Sequence, residues 1–333
     1  MKLGHKVSFL VKQGSYSDFA RVIFIDETKP IIEQIPDDVD IVHFNFAPVG
    51  IEKIKKPYII TMHGNLNDKR DLDKNTVFVS KNHAERFGSE EFVYNGLDWD
   101  DYSMPVLDNK RNYFHFLGNA AWRIKNVKGS IDIIKSSKRE HLKVLGGKRF
   151  NFKMGLRFTF SPKISFYGMV GGEKKDKLLN GSKGLIFPVR WHEPFGLAII
   201  ESLYFGCPVF GTPYGSLPEL VPPEFGVLSN NKNILIDAIK NSKGFSPIIC
   251  HNYAVENFNS KKMALSYIDK YERVISGETL NKTNPQLKEI QTEKFLLGKI
   301  KSNSPDFDKV RKQPHCFDKL KTKKFFYKEK DKY

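Results

Sequence analysis

The sequence predicts an α/β protein made of two doubly wound domains, and three observations carry that expectation. Short apolar runs such as Asp40–Asn45 (DIVHFN) and Pro57–Met62 (PYIITM) alternate with short helical or loop segments. Polar residues or glycines follow the runs, as His63-Gly64-Asn65 and Asn95-Gly96 do, where open α/β sheets hold ligands. The stretch Phe187–Glu219 reads as strand, loop, helix, strand, loop, with two glutamates, Glu193 and Glu201, eight positions apart.

In chain order, strands are expected at Lys6–Lys12, Arg21–Asp26, Asp40–Asn45, Pro57–Met62, Thr76–Ser80 and Glu91–Tyr94. A second set begins at Asn112–Gly118 and continues at Lys143–Gly147, Ile164–Gly168, Gly184–Pro188, Pro208–Gly211 and Gly226–Leu228. Helices lie between them at Lys128–Lys138, Gly172–Gly181 and Glu193–Phe205. Tyr253–Ile275 reads as one long helical segment, with apolar positions at Phe258, Met263, Ala264, Tyr267, Ile268, Tyr271 and Val274. The organisation expected is a first domain over 1–112, a second over 113–252, a helix over 253–277 that crosses back, and a basic, partly disordered tail over 278–333.

Composition bounds the function. A chain of 333 residues with 40% apolar content has ample core for two domains. No apolar run is long enough to span a bilayer, and the opening MKLGHKVSFLV lacks the apolar region and cleavage site of a secretory signal. Cys207, Cys250 and Cys316 are odd in number and far apart, so they form no metal or disulfide pattern, and a cytoplasmic setting is expected. The net charge is +16, and residues 278–333 carry 15 Lys/Arg against 8 Asp/Glu. That balance fits phosphorylated substrates, an anionic membrane face or nucleic acid, and equally a solvated basic surface. Phe325-Phe326-Tyr327 among lysines suits a membrane interface or a plain disordered tail. No aromatic–basic repeat supports a nucleic-acid module.

The two glutamates flank EPFGLAII, with Pro194 near the expected helix start and Gly206 past its end. First-turn amides have no internal partner and the helix dipole adds positive potential, so the amides near Phe195, Gly196 and Leu197 suit a diphosphate. Glu201 lies roughly 9 Å further along at 1.5 Å per residue, about the span from a phosphate to its own ribose. A carboxylate accepts from two vicinal hydroxyls and so suits a ribose diol. Taken alone, such a spacing is more often an acid at a helix start and a solvated face residue. His63 alone is more often structural.

The surrounding strings change that balance. In order they are HGN at His63, YNGLDWDDY at Tyr94, FLGNAAWRIKNVKGSIDII at Phe116, LKVLGG at Leu142, ISFYGMVGGEKKDKLL at Ile164 and LIFPVRWHEPFGLAIIESLYFGCPVFGTPYGSLPELV at Leu185. Together they resemble the family-4 retaining glycosyltransferases of the GT-B fold, over residues 1–277 and with greatest specificity from 164 to 221.

The resemblance implies two Rossmann-like domains facing a cleft, the second binding a nucleotide-diphosphate sugar, with a UDP- or GDP-sugar expected. It implies a sugar transfer with retention of anomeric configuration, in cell-surface glycan or glycoconjugate synthesis, without a metal or other cofactor. Glu193 then contacts the donor sugar, Glu201 the ribose, and the amides of Phe195, Gly196 and Leu197 the diphosphate and sugar. Lys128 matches the lysine that neutralises the diphosphate, where the largest charge develops. His63 matches a histidine that reaches the donor sugar, and Met169 and Val170 match the segment packed on the base. The acceptor stays open, with a lipid-linked molecule at the inner membrane face fitting the basic surface.

Two departures from the family pattern are visible. Asn119 stands where a basic residue is usual, and Arg123 or Lys125 is expected to supply that charge. The family's opening strand and glycine-rich loop have no counterpart before MKLGHKV, which bears on acceptor binding and turnover. A non-catalytic nucleotide-sugar-binding remnant or partner subunit is therefore the alternative. A nucleic-acid-binding protein and a sugar epimerase are the more distant ones.

Overall fold

The computed structural model describes residues 3–151 and 157–296. The expected mobile segment Lys299–Tyr333, with Cys316 and Phe325-Phe326-Tyr327, lies outside the described residues.

The first half carries two separate parallel sheets. In the first, β1 (Ser8–Val11) pairs with β2 (Arg21–Phe24), Ser8 opposite Arg21 and Val11 opposite Phe24. No residue from 3 to 43 is buried, and Phe9, Phe19 and Phe24 are exposed. A two-stranded sheet without a buried face adds little stability of its own. The second sheet is β3 (Val42–Phe44), β4 (Tyr58–Met62) and β5 (Thr76–Phe78) in that order. Here Ile59, Val77 and Phe78 are fully buried. A short helix, α1 (Lys81–Arg86), follows, and the Ser80 hydroxyl caps it by accepting from the His83 amide at 3.1 Å. The strand expected at Glu91–Tyr94 is reduced to one bridge between Phe78 and Phe92.

In the second half the chain runs β6 (Tyr113–Leu117), α2 (Val127–Ser136) and β7 (Leu142–Leu145), then the small antiparallel pair β8 (Phe150–Asn151) and β9 (Arg157–Phe158). It continues through β10 (Ile164–Phe166), α3 (Gly172–Asn180), β11 (Ser182–Phe187), α4 (Leu197–Tyr204), β12 (Val209–Gly211), α5 (Leu217–Leu220), β13 (Gly226–Leu228) and α6 (Lys232–Lys240). The six long-range strands form one parallel sheet in the order β10-β7-β6-β11-β12-β13. From β6 the chain winds outward through β7 to β10, then returns to β11 and winds the other way. The reversal lies between β6 and β11, and the carboxyl ends of those strands are where such sheets open a crevice. Phe114, Phe116, Leu185, Ile186 and Phe187 on these two strands are buried on both faces, the expected composition of central parallel strands.

The helical segment expected over Tyr253–Ile275 is two helices, α7 (Pro247–Asn257) and α8 (Ser260–Ile275). The break arises because Leu97 pairs with the chain there. Its amide donates to Phe258 O at 2.9 Å and its carbonyl accepts from Ser260 N at 2.8 Å. Asn259 then caps α8 through its side-chain oxygen, which accepts from Lys262 N at 2.8 Å. α8 packs Tyr267 and Val274 against Ile59 and Val77 of the first half. Residues 278–296 continue along the same half without regular structure. Leu287 is buried beside Phe78 and Phe87, and the Asn281 side chain donates to the carbonyls of Lys74 and Thr76 at 2.8 and 2.9 Å.

Candidate functional site

The loop after β11, residues 188–196, is tied down through its carbonyls. Asn126 Nδ2 donates to Pro188 O at 2.8 Å and Thr212 Oγ1 to Val189 O at 2.7 Å. Leu296 N donates to Arg190 O at 3.0 Å and Asn65 Nδ2 to His192 O at 2.6 Å. Ser216 N donates to Glu193 O at 2.9 Å, Ser80 Oγ to Pro194 O at 2.6 Å, and Ser216 Oγ to Phe195 O at 2.6 Å. Anchors from both halves of the chain therefore hold the loop in one shape, as a preorganised site requires.

Glu193 is 5% exposed and has a donor on each carboxylate oxygen. Lys125 Nζ reaches Oε1 at 2.9 Å and Oε2 at 2.7 Å, and Trp191 Nε1 donates to Oε2 at 2.8 Å. The Lys125 ammonium also lies 5.1 Å from the Trp191 ring and 5.4 Å from the Phe187 ring. Lys125 comes from the short 3-10 turn Arg123–Lys125 between β6 and α2. Asn126, the one non-glycine residue at positive φ among the described residues, follows it at φ 54°. Its side-chain oxygen caps α2 by accepting from Gly129 N at 3.0 Å. One asparagine thus fixes the direction of the Lys125 turn, starts α2 and ties both to the end of β11.

α4 begins at Leu197, four residues later than expected from Pro194 and the acid before it. The cause is Gly196, whose left-handed φ of 91° makes it the N-cap and keeps Glu193–Phe195 out of the helix. The Phe195 side chain is buried in the core beside Ile199 and Ile200, so only its backbone is available to a ligand. Leu197 is 45% exposed at the helix start.

Glu201 lies on the following turn of α4 and also carries a lysine and an aromatic donor. Lys175 Nζ, from α3, bonds Oε1, and Tyr102 Oη donates to the same oxygen at 2.9 Å. Neither donor falls on Oε2.

The remaining expected residues are placed as follows. Lys128 is on the exposed face of α2, paired with Asp132 at 2.9 Å and not with Glu193. The cation at the glutamate is Lys125. Arg123 is exposed on the same turn. Met169 is 79% exposed, whereas Val170 packs against the core. His63 stands at the end of β4, its Nε2 3.0 Å from Asn45 Oδ1, and Asn65 two residues on makes the contact to the Glu193 loop. Asn119 uses its side chain locally, accepting from Ala121 N at 3.0 Å.

Sequence reasoning missed Trp191, Lys175, Tyr102 and Asn126. Trp191 sits within the quoted motif, two residues before its acid, and the K-N pair at 125–126 was a usable signal. Lys175 and Tyr102 had none, being 26 and 99 positions from Glu201.

Residues 102–242 match the family model described as glycosyl transferases group 1. No curated protein matches the sequence. Among solved structures, the chain is similar to AviGT4, a glycosyltransferase involved in avilamycin A biosynthesis, at 20% identity and a TM-score of 0.67, over 83% of this chain and 86% of that one. A sucrose-phosphate synthase from Thermosynechococcus elongatus is similar at 15% identity and a TM-score of 0.59, over 79% and 86%. HepE of Anabaena in complex with UDP-glucose is similar at 18% identity and a TM-score of 0.50, over 68% and 73%. The fold is that of the GT-B glycosyltransferases, and the residues matched by the family model include Glu193 and Glu201. Among the described residues no helix is long and apolar enough to cross a membrane.

Proposed function

We propose that the chain is a glycosyltransferase that moves a sugar from a nucleotide-diphosphate sugar to an acceptor with retention of configuration. The observation that carries this reading is the pinned loop presenting Glu193, with Lys125 and Trp191 on its carboxylate, at the carboxyl end of β11 and directly before the start of α4. In this reading Glu193 accepts from donor-sugar hydroxyls and Glu201 from the ribose. The amides of Phe195, Gly196 and Leu197 receive the diphosphate, and Met169 and Val170 border the base.

Lys125 supplies the cation for the leaving diphosphate. An ammonium has three donors, and a fixed cation beside the developing charge lowers the barrier without reorganising in the transition state. Lys128 is more distant in role, and Arg123 is the second cation on the Lys125 turn. His63 faces the donor sugar from the first half. No carboxylate nucleophile is assigned; the leaving diphosphate assists deprotonation of the acceptor on the same face. UDP-glucose in HepE makes UDP and UDP-sugars the first donors to test.

Calorimetry with UDP, GDP and their common sugar derivatives tests the reading, followed by NMR of the anomeric product. The expected result is binding of at least one nucleotide, weakened about tenfold or more by Glu201→Ala. If none of the panel binds, the reading is wrong. A second reading is a binding protein without turnover. It is favoured by the divided sheet of the first half, in which no residue from 3 to 43 is buried. It predicts nucleotide-sugar binding with no release of nucleotide in the presence of any acceptor.

A further inference from the structure

Glu201 is held differently from Glu193. At Glu193 the donors span both carboxylate oxygens; at Glu201 both donors converge on Oε1. The two donors come from separate elements, Lys175 from the first turns of α3 and Tyr102 from the segment before β6. The Lys175 ammonium also lies 4.7 Å from the centroid of the Tyr102 ring, so the two donors hold one another. The side chains of Lys175 and Glu201 are only 16% and 13% exposed, which shields the pair from solvent competition. A carboxylate with one oxygen engaged by two donors has its plane fixed, and its second oxygen keeps its lone pairs for another partner.

We propose that Lys175 and Tyr102 are positioning residues for the donor nucleotide, clamping Glu201 Oε1 so that Oε2 is aimed at the ribose hydroxyls. This rests on the nucleotide site proposed above and adds its selectivity: the clamp makes the site discriminate a ribonucleotide from one lacking the diol. Without the clamp the carboxylate rotates among rotamers, and ordering it on binding costs affinity only when there are hydroxyls to meet.

The test is calorimetry on the full chain with UDP and GDP, each beside its 2′,3′-dideoxy counterpart. The readout is the affinity ratio between the two members of a pair. The wild-type chain is expected to prefer the ribonucleotide by about tenfold or more. Lys175→Met and Tyr102→Phe are expected to reduce that ratio severalfold, mainly by weakening the ribonucleotide, and Lys175→Arg to retain most of it. In a Glu201→Gln background, Lys175→Met should leave the ratio unchanged. Equal losses for both nucleotides, with the ratio intact, would make Lys175 merely structural and overturn the proposal. A wild-type chain that binds both members equally overturns it too while leaving the nucleotide site standing. Failure of every nucleotide to bind overturns the site and the clamp together.

Discussion

Gly215 and Glu193 pair as a parallel bridge, and the approach leaves no room for a side chain at 215. A Cβ there would lie 2.3 Å from both the backbone nitrogen and the carbonyl oxygen of Glu193. Residue 215 also has a φ of 66°, which glycine adopts freely. Gly215→Ala is therefore expected to cost about 2 kcal/mol or more and to displace the Glu193 loop. Urea unfolding reads the first effect and nucleotide titration the second. An alanine variant with wild-type stability and affinity would show that the loop yields without consequence.

Lys125 and Glu193 are a buried pair, with side chains 15% and 5% exposed. Removing one member leaves an uncompensated charge, so Lys125→Met should lower stability by about 3–5 kcal/mol. Adding Glu193→Gln should restore much of it, since the stranded charge is gone. Chemical denaturation of the two single variants and the double variant gives the coupling, and strict additivity would contradict the pairing.

Asn281 attaches the 278–296 segment to the first half. Besides its two donations to carbonyls, its side-chain oxygen accepts from Ser89 Oγ at 2.6 Å, and its amide donates to Lys74 O at 2.9 Å. The residue is 7% exposed. Asn281→Ala strands Ser89 Oγ and Thr76 O, while the backbone bond to Lys74 O remains, and is expected to destabilise the chain by about 3 kcal/mol. A fall in melting temperature checks this; an unchanged value would mean that the segment is loosely attached.

Desolvated histidines set an acid limit, among them the buried His115 and the half-buried His43. His115 is pushed down to about 3 by burial and then by Arg111, and its ring nitrogens lie 2.7 and 2.9 Å from the hydroxyls of Ser182 and Ser202. His43 is pushed down to about 4 by burial and then by His63. In the unfolded chain both titrate near 6.5, so below that pH the unfolded state binds more protons and stability falls with acidification. Each contributes a slope of about 1.4 kcal/mol per pH unit down to its folded value, and none above neutrality. Urea unfolding at pH 7.5 and pH 5.5 measures the slope. His115→Phe should flatten it by about one such increment, and an unchanged slope would remove His115 from the account.

Much of the second half was legible in the sequence because its central strands, β6, β7, β11 and β12, are short, mostly apolar runs largely buried on both faces. NYFHFL, LKVL and GLIF announce themselves without tertiary information. The Glu193–Glu201 motif was legible for a related reason: its glycines and proline mark backbone turns that few other residues allow. Helix boundaries were less so. The extra residues expected at the start of α4 came from reading Pro194 as a first-turn residue, when Gly196 sets the cap. The single helix expected at Tyr253–Ile275 concealed a break imposed by Leu97, a residue more than 150 positions earlier, which leaves no local mark.

By itself the sequence determined the α/β class, the positions of the central strands and the placing of Glu193 and Glu201 on either side of a glycine-marked helix start. These follow from periodicity and from backbone conformations that single residues impose. Only the tertiary structure decided which groups stand on the acids. Lys125 and Trp191 meet Glu193, while Lys175 and Tyr102 meet Glu201. Contacts between side chains from distant elements depend on how the sheet order reverses between β6 and β11 and on which helix crosses which strand end. Spacing along the chain carries no record of that geometry: Lys125 and Lys128 stand three positions apart, yet Lys125 meets Glu193 while Lys128 pairs with Asp132 on the helix face.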